Sequence, residues 1–219
     1  MKQFLSLLLL LALCSGADAQ TAPAFWSDIV AFKKQDSAGP APARPILFVG
    51  SSSFTRWTDL QQYFPGYPVL NRGFGGSTLK DVIRYSYDVV LPYRPKQVLV
   101  YCGENDLASA DSISAEEVTL RFRTLFGIIR TNLPDAHIAF VSIKPSPSRA
   151  SIQPKVRAAN AAIRKFLKRH RRTAFIDIYD AMLDANGNMR ASLYVADRLH
   201  MTPEGYAIWQ RIIGPHLLK

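Results

Sequence analysis

The sequence is poor in cysteine, which limits both disulfide and metal chemistry. Only Cys14 and Cys102 occur among the 219 residues. We expect Cys14 to be removed with an N-terminal leader, and one remaining thiol cannot form an internal disulfide. Cys102 ends an apolar run, which favours a buried and unreactive thiol. The histidines show no ligand spacing and no cysteine pair exists, so neither a metal nor a cofactor is predicted.

Long apolar segments are also missing, apart from a short leucine-rich run near the N-terminus. That run is shorter than the roughly 20 residues that span a bilayer. One basic residue precedes it, and Ala17-Asp18-Ala19 follows with the small-x-small pattern of a cleavage site. We predict a signal peptide over residues 1–19, cleaved after Ala19, and a secreted or periplasmic protein with no transmembrane segment after cleavage. An uncleaved N-terminal anchor is the alternative.

Acidic residues are too few to balance the basic ones. The formal net charge is +10 at pH 7, and much of the excess lies in residues 155–172, KVRAANAAIRKFLKRHRR. Val156, Ala159 and Ile163 recur there at helical spacing, which places the basic side chains on the opposite, solvated face of a helix. A weak contact with an anionic surface is the alternative use of this basic helix. No nucleic-acid motif is present, so no nucleic-acid partner is predicted.

From residue 45 onward, short apolar runs alternate with helical patterns. Residues 20–44 precede them as an N-terminal lead-in and Ala/Pro-rich connector, in which FWSDIVAF predicts a short helix. Runs that are apolar on both sides of the pleat predict parallel strands covered on both faces, and there are five: 45–50, 67–73, 96–103, 136–143 and 173–180. We predict one α/β domain over 45–219, a three-layer α/β/α sandwich around a five-stranded parallel sheet.

Polar residues gather where these strands end, which is where ligands bind in such sheets. The first run ends in FVGSSSF, where Gly50 permits a tight turn before three serines. A serine at this junction is a candidate nucleophile, and helix capping is the structural alternative. The second run ends in NRGFGGST, whose glycines offer bare N–H donors. Thr78 stands where a dinucleotide-binding loop needs glycine, so an oxyanion contact is favoured over NAD, with a structural turn as the alternative.

Two further motifs supply an amide and an oriented imidazole. The third run leads into GENDLA, where Asn105 can donate to a developing oxyanion or can serve as a helix cap. DRLHMTPEGY sets Asp197 three residues before His200, so that the carboxylate can orient the imidazole and stabilise its protonated form. Taken alone, an aspartate three residues before a histidine is more often a surface pair than a catalytic one. Together, the four motifs provide a nucleophile, oxyanion donors and a base, the groups required for acyl transfer.

In their order along the chain, these motifs resemble those of the SGNH hydrolases, also called the GDSL esterase/lipase family. The resemblance runs from about Ile46 to His216 and implies a flavodoxin-like α/β/α fold. It assigns the catalytic triad and the oxyanion hole as follows: Ser52 as nucleophile, His200 as base, Asp197 as orienting acid, and Ser52, Gly76 and Asn105 as oxyanion donors. The family usually has aspartate where this chain has Ser51, so Ser51 and Ser53 remain rival nucleophiles.

The resemblance implies an exported serine esterase that needs no cofactor or metal. Export and the family's frequent action on acylated sugars favour a short O-acyl or O-acetyl ester of a carbohydrate, or another small-molecule ester. A lysophospholipase, a thioesterase or an acyltransferase would use the same residues. A non-catalytic glycan-binding module is a further alternative, although a binding module has no need of an oriented Asp–His pair.

Overall fold

The computed structural model describes residues 22–219, built around a five-stranded sheet in which every strand pair is parallel. The predicted signal peptide lies outside the described residues. All five predicted strands are present, and the α/β architecture with a parallel central sheet is confirmed. The strands are β1 (Ile46–Gly50), β2 (Val69–Gly73), β3 (Gln97–Tyr101), β4 (His137–Val141) and β5 (Thr173–Ile176).

Helices connect the strands and cover both faces of the sheet. They are α1 (Trp26–Ala38), α2 (Ser52–Thr55), α3 (Leu60–Tyr63), α4 (Leu79–Arg84), α5 (Ser86–Val89), α6 (Glu104–Ser109), α7 (Ala115–Asn132), α8 (Gln153–Leu167) and α9 (Pro203–Ile213). Short 3₁₀ turns complete the connections, including one at Pro147–Ile152 after β4. Within residues 22–219, none of these helices is both long enough and apolar enough to cross a bilayer.

The sheet has the strand order β2-β1-β3-β4-β5. From β1 the chain moves outward to β2 and then returns past β1 to β3, so the direction of winding reverses between β1 and β3. Such a switch point opens a crevice at the carboxyl ends of the two strands, where ligands bind in open α/β sheets. Gly50 pairs in register with both Gly73 and Tyr101, so these three strands end at one level. The loops after β1, β2 and β3 therefore meet at this edge.

Side chains alternate along each strand between two apolar layers. Leu47 and Val49 of β1 pack with α1, α4, α7 and α8 on one side, which we call the α7 face. Ile46 and Phe48 pack with α2, α3 and α9 on the other side, which we call the α9 face. All four side chains are fully buried. This burial on both sides explains why the strands are apolar at every position rather than alternating with polar residues.

The basic stretch forms most of α8, but the helix ends at Leu167, earlier than the 155–172 pattern suggested. Val156 and Ile163 are buried against the α7 face, as their spacing predicts. Some of the positive charge is paired within the chain, since the Arg164 guanidinium contacts the Asp177 carboxylate just after β5. Arg157 also pairs with Asp180, whereas Lys165 and Lys168 are exposed to solvent.

Candidate active site

The predicted site residues meet at the carboxyl edge of the sheet. Ser52 is the first residue of α2, directly after β1, and Asn105 lies in the first turn of α6, after β3. Gly76 lies in the loop after β2, while Asp197 and His200 occupy the loop before α9. The last two residues are more than 140 positions from Ser52 in the chain, and the fold brings the imidazole into contact with the serine hydroxyl.

The sharp turn that exposes Ser52 depends on Gly50. Its φ of +142° lies in the region that favours glycine, and a Cβ at this position would lie 1.9 Å from the Tyr101 carbonyl oxygen. The Ser51 N–H donates to that same carbonyl oxygen at 3.0 Å, which holds the end of β1 against β3. The chain then enters α2 at once, so the Ser52 side chain emerges at the switch point with its own N–H among the free donors of a helix N-terminus.

A continuous chain of hydrogen bonds links Ser52 to His200 and Asp197. His200 Nε2 lies 2.9 Å from Ser52 Oγ, and His200 Nδ1 lies 2.6 Å from Asp197 Oδ2. The other carboxylate oxygen accepts the backbone N–H groups of Leu199 and His200, each at 2.9 Å. The hydrogen bond from the His200 side chain, followed by these backbone donors, holds the pKa of Asp197 well below its usual range. An ionised carboxylate can only accept, so Nδ1 carries the hydrogen and Nε2 is free to accept from the serine.

Exposure separates Ser52 from the serines on either side. Ser51 and Ser53 are 4% and 1% exposed, whereas Ser52 is partly exposed. Within residues 22–219, the serine hydroxyl that contacts the His200 imidazole is that of Ser52. A nucleophile must be reachable by its substrate as well as by its base, and this combination distinguishes Ser52 from its two neighbours.

Backbone and amide donors border the serine. The Gly75–Gly76 turn lies beside it, because a Cβ on Gly75 would be 3.9 Å from the Cβ of Ser52. Gly76 has a φ of +85° and is exposed, and its N–H has no hydrogen-bond partner within the described residues. The Asn105 side-chain amide donates one hydrogen to the Ser77 carbonyl oxygen at 3.0 Å, which orients the group and leaves its second hydrogen free. Such donors can stabilise an oxyanion formed next to the serine.

A buried ionic cluster lies directly behind Asn105. Lys144 Nζ is 2.5 Å from Glu104 Oε2, which also accepts the Tyr101 hydroxyl at 3.0 Å, and the Ser146 hydroxyl donates to Glu104 Oε1. The sequence motifs did not point to Lys144. A charged residue directly after the apolar run 136–143 was the available signal, but its partner lies 40 positions away in the chain.

Burial and attraction oppose each other in this cluster. Burial raises the pKa of Glu104, but attraction to the Lys144 ammonium and the Arg149 guanidinium, with hydrogen bonds from Lys144 and Ser146, lowers it below its ordinary value. Burial lowers the pKa of Lys144, and Glu104 offsets only part of that shift. The lowered pKa of the carboxyl keeps Glu104 ionised near neutral pH, where it can hold the lysine.

Two hydrogen bonds connect the loop after β4, which carries Lys144 and Ser146, to the loop that carries His200. The Ser148 N–H donates to the Arg198 carbonyl oxygen at 3.1 Å, and the Tyr194 hydroxyl donates to the Pro145 carbonyl oxygen. Arg198 itself has a φ of +56°, which makes the tight turn between Asp197 and His200. The loop after β4 therefore bridges the segment that holds Asn105 and the segment that holds the Asp–His pair.

Asp106, the acidic neighbour of Asn105 on its other side, has structural partners. Its side chain is fully buried, accepts the Leu79 N–H at 2.9 Å and pairs with Arg121 at 2.7 Å. Burial raises the pKa of Asp106, against the opposing effect of these donors. These contacts tie α6 to α4 and α7 and so fix the helix that presents Asn105. Within residues 22–219, no group of three or more histidine, cysteine, aspartate or glutamate side chains is arranged to hold a metal ion.

Comparisons with known proteins bear on this arrangement. A model of the GDSL-like lipase/acylhydrolase family matches residues 38–208. No match was found among curated protein sequences. Among solved structures, a GDSL-like lipase from Bacteroides thetaiotaomicron superposes with a TM-score of 0.73 at 20% identity, covering 86% of this chain and 96% of that one.

An acetylxylan esterase from Geobacillus stearothermophilus has the same fold. Its structure, determined for a catalytic mutant, superposes with a TM-score of 0.63 at 14% identity, covering 79% of this chain and 94% of that one. Three of its catalytic mutants replace a serine, an aspartate and a histidine, and the aspartate precedes the histidine by three positions. At such identities, the likeness to solved structures shows a shared fold.

Proposed function

The chain belongs to the GDSL-like lipase/acylhydrolase family and is a carboxylic ester hydrolase, and from this premise we propose that it is an exported serine esterase. The resemblance to SGNH hydrolases is confirmed. We propose Ser52 as the nucleophile, His200 as the base and Asp197 as the acid that orients it. The observation that carries the proposal is the 2.9 Å contact between His200 Nε2 and Ser52 Oγ, on an imidazole whose other nitrogen contacts a carboxylate. The aspartate–histidine spacing in the acetylxylan esterase mutants equals the spacing here.

The proposed reaction starts with proton transfer from Ser52 to His200. The Ser52 oxygen bonds to the ester carbonyl carbon, and the carbonyl electron pair moves to its oxygen. The N–H groups of Ser52 and Gly76 and the Asn105 amide donate to this oxyanion. His200 then protonates the leaving alcohol as the ester bond breaks, which leaves an acyl group on Ser52. Water, deprotonated by His200, attacks that acyl group and releases the acid, so the enzyme returns to its starting state.

The proposed substrate is a short O-acyl or O-acetyl ester of a carbohydrate. Its support is the fold shared with an acetylxylan esterase, together with the secretory pattern at the N-terminus. A lysophospholipid, a thioester or a transfer acceptor other than water would use the same three side chains. These alternative activities differ in the residues that bind the acyl group and the acceptor beside the serine, and they share the triad.

A panel of esters tests the proposal directly. Hydrolysis of p-nitrophenyl esters from acetyl to palmitoyl should be measured beside acetate release from acetylated xylan and pectin. We expect activity on the short esters and on at least one acetylated polysaccharide. Ser52→Ala should abolish that activity, whereas Ser53→Ala, which removes a buried neighbouring hydroxyl, should retain most of it. Retained activity in Ser52→Ala would refute the assignment of the nucleophile.

Export is a separate part of the proposal. The predicted leader, residues 1–19, precedes the described residues, so its test is biochemical. N-terminal sequencing of the protein recovered from the medium or the periplasm should give a chain that begins at Gln20, the residue after the predicted cleavage site. A chain that still begins at Met1 in the cytoplasmic fraction would contradict export.

We further propose that α8 makes weak contact with anionic surfaces. A cavity of about 360 Å³ is lined by four basic side chains, and two carboxylates line it as well, so the expected attraction is modest. The basic side chains are Arg157, Arg164, Lys165 and Lys168. Retention on an anionic matrix should fall with rising salt and should weaken in Lys165→Glu/Lys168→Glu. Unchanged retention in that variant would exclude α8 as the contact.

A further inference from the structure

The segment before the family match packs against the proposed active site. The match begins at residue 38, at the end of α1, so Phe25 and almost all of α1 lie outside it. Ile29 of α1 is nevertheless fully buried in the α7 face. The Arg72 guanidinium of β2 pairs with Asp36, whose carboxylate also accepts the Tyr93 hydroxyl at 2.6 Å. This helix is therefore fixed to the strand that leads into the Gly76 loop.

The start of this N-terminal segment is also fixed by contacts with the rest of the domain. The Tyr85 hydroxyl donates to the Ala24 carbonyl oxygen at 2.6 Å, and the Trp26 ring stacks on the Tyr85 ring with centroids 6.4 Å apart. Between these two anchors, Phe25 has a φ of 65° and a ψ of 4°. This left-handed conformation is uncommon for a bulky residue and persists where surrounding contacts impose it. The strained residue, Phe25, is therefore the one whose side chain contacts the Gly76 loop.

The Phe25 ring contacts the loop that supplies the proposed oxyanion donor. It packs edge-to-face on Phe74 with centroids 5.4 Å apart, and its Cε1 lies 3.8 Å from where a Cβ on Gly76 would be. Phe74 is fully buried, whereas Phe25 is only half-buried, so part of the Phe25 ring remains open beside the exposed Gly76. An ester whose oxyanion accepts the Gly76 N–H would bring its substituents within reach of this ring.

The two faces of the sheet indicate whether the acyl group or the alcohol of the ester lies beside the Phe25 ring. His200 must protonate the leaving alcohol, and its loop is anchored on the α9 face through Tyr194 and Met201. Phe25 and Phe74 belong to the α7 face. The alcohol thus lies towards the α9 face, and the acyl group, attached to the opposite side of the carbonyl carbon, lies towards Phe25.

We propose that Phe25 limits the length of the acyl group that the Ser52 site accepts. This inference rests on the proposed function. It adds a specificity residue, from outside the family match, to the proposed triad and oxyanion donors. An aromatic ring in this place leaves room for an acetyl group and obstructs a longer chain.

The decisive variant is Phe25→Gly, because glycine adopts a φ near 65° without strain and is tolerated at a helix start. Values of kcat/KM should be measured for p-nitrophenyl acetate, butyrate and octanoate, and separately for phenyl and naphthyl acetates. We expect the octanoate-to-acetate ratio to rise about tenfold or more, the order of effect that apolar pocket contacts produce. The naphthyl-to-phenyl ratio should stay within about twofold, because the alcohol side is untouched.

Three further variants separate specificity from general damage. Trp26→Ala removes the neighbouring ring, which contacts Tyr85, and should leave both ratios unchanged. Phe25→Leu keeps apolar packing on Phe74 and should shift the acyl ratio in the same direction by a smaller factor. Phe25→Trp should lower the butyrate-to-acetate ratio. Thermal unfolding of each variant checks the fold.

The outcomes are distinct. A uniform loss of activity on all esters in Phe25→Gly, with unchanged ratios, would mean that Phe25 only supports the Gly76 loop, and it would overturn the inference. A change in the alcohol ratio alone would overturn it as well. A wild-type protein that hydrolyses none of these esters would refute the proposed function and this inference together.

Discussion

Two acid–base pairs lie at the same edge of the sheet, and they differ in exposure, in spacing along the chain and in what they contact. Asp197 and His200 are three positions apart in one loop, and their side chains are 41% and 13% exposed. Glu104 and Lys144 are 40 positions apart, and their side chains are 5% and 1% exposed. The Asp197–His200 pair contacts the Ser52 hydroxyl through the imidazole. The Glu104–Lys144 pair is buried and joins the segments that follow β3 and β4.

Position in the fold decides what each of these acid–base pairs does. A base must exchange protons with substrate and water, so the exposed pair can act in chemistry while contributing little to stability. A buried pair has no such access, and losing one partner leaves an uncompensated charge in the protein interior. We therefore expect the exposed pair to dominate activity and the buried pair to dominate stability.

The largest effect on activity is expected from His200→Ala. Removing the proposed base should lower kcat by about a millionfold, as the loss of a triad base does in known serine hydrolases. The free energy of unfolding should change by less than about 1 kcal/mol, because the Asp197 carboxylate that loses its partner is 41% exposed and stays in contact with water. Steady-state kinetics with p-nitrophenyl acetate and urea unfolding measure the two quantities. A loss of less than tenfold would exclude His200 as the base.

Asp197→Asn should have the next largest effect. An amide can donate to Nδ1 and stabilise the wrong tautomer of His200, so kcat should fall about 10⁴-fold while the fold remains intact. Asp197→Glu serves as the comparison, since it retains the charge but displaces it, and its loss should be smaller. Equal activity of Asp197→Asn and the wild type would show that the carboxylate does not orient the base.

In the buried pair, Lys144→Met should lower the stability of the fold more than it lowers activity. Leaving Glu104 without its ammonium partner should lower the free energy of unfolding by about 3–5 kcal/mol. The double variant Glu104→Leu/Lys144→Met removes both charges and should recover much of that loss. Chemical denaturation of the two variants and the wild type gives the comparison. If the single and double variants were equally unstable, packing rather than charge would hold these loops together.

The smallest effect concerns the pH dependence of stability. Because the pKa of Asp197 is lowered in the folded state, its contribution is fully present above about pH 4, the ordinary pKa of an unfolded aspartate. It declines as the pH falls further towards the folded-state pKa. The difference in melting temperature between the wild type and Asp197→Asn should thus shrink as the pH falls below 4. A difference that grows below pH 4 would contradict the lowered pKa.

The strands could be predicted closely because burial on both faces leaves an unmistakable apolar run. The end of β5 was predicted to extend to Asp180 but lies at Ile176. There the Asp177 carboxylate accepts the Tyr179 N–H at 3.1 Å, a local turn that ends the strand. The short helix α6 was not predicted, because six residues starting from Glu-Asn-Asp carry no helical periodicity.

Other differences arise from interactions that distant parts of the chain make. The segment between β1 and β2 forms two short helices, α2 and α3, with Asp59 at the start of the second. The lead-in pattern predicted a short helix, and α1 continues to Ala38, with Asp36 in this extension paired with Arg72 of β2. The contacts of Lys144 and Phe25 depend on which loops meet in space. Spacing along the chain could suggest the Asp–His pair, but it could not reveal these long-range neighbours.

The most direct test of the central claim is covalent labelling with a fluorophosphonate probe, which bonds to an activated serine oxygen. Peptide mass spectrometry should find one probe per chain, on Ser52, and His200→Ala should slow the labelling sharply while leaving the fold intact. Labelling of Ser51 or Ser53 instead, or no labelling of a folded wild-type protein, would contradict the account.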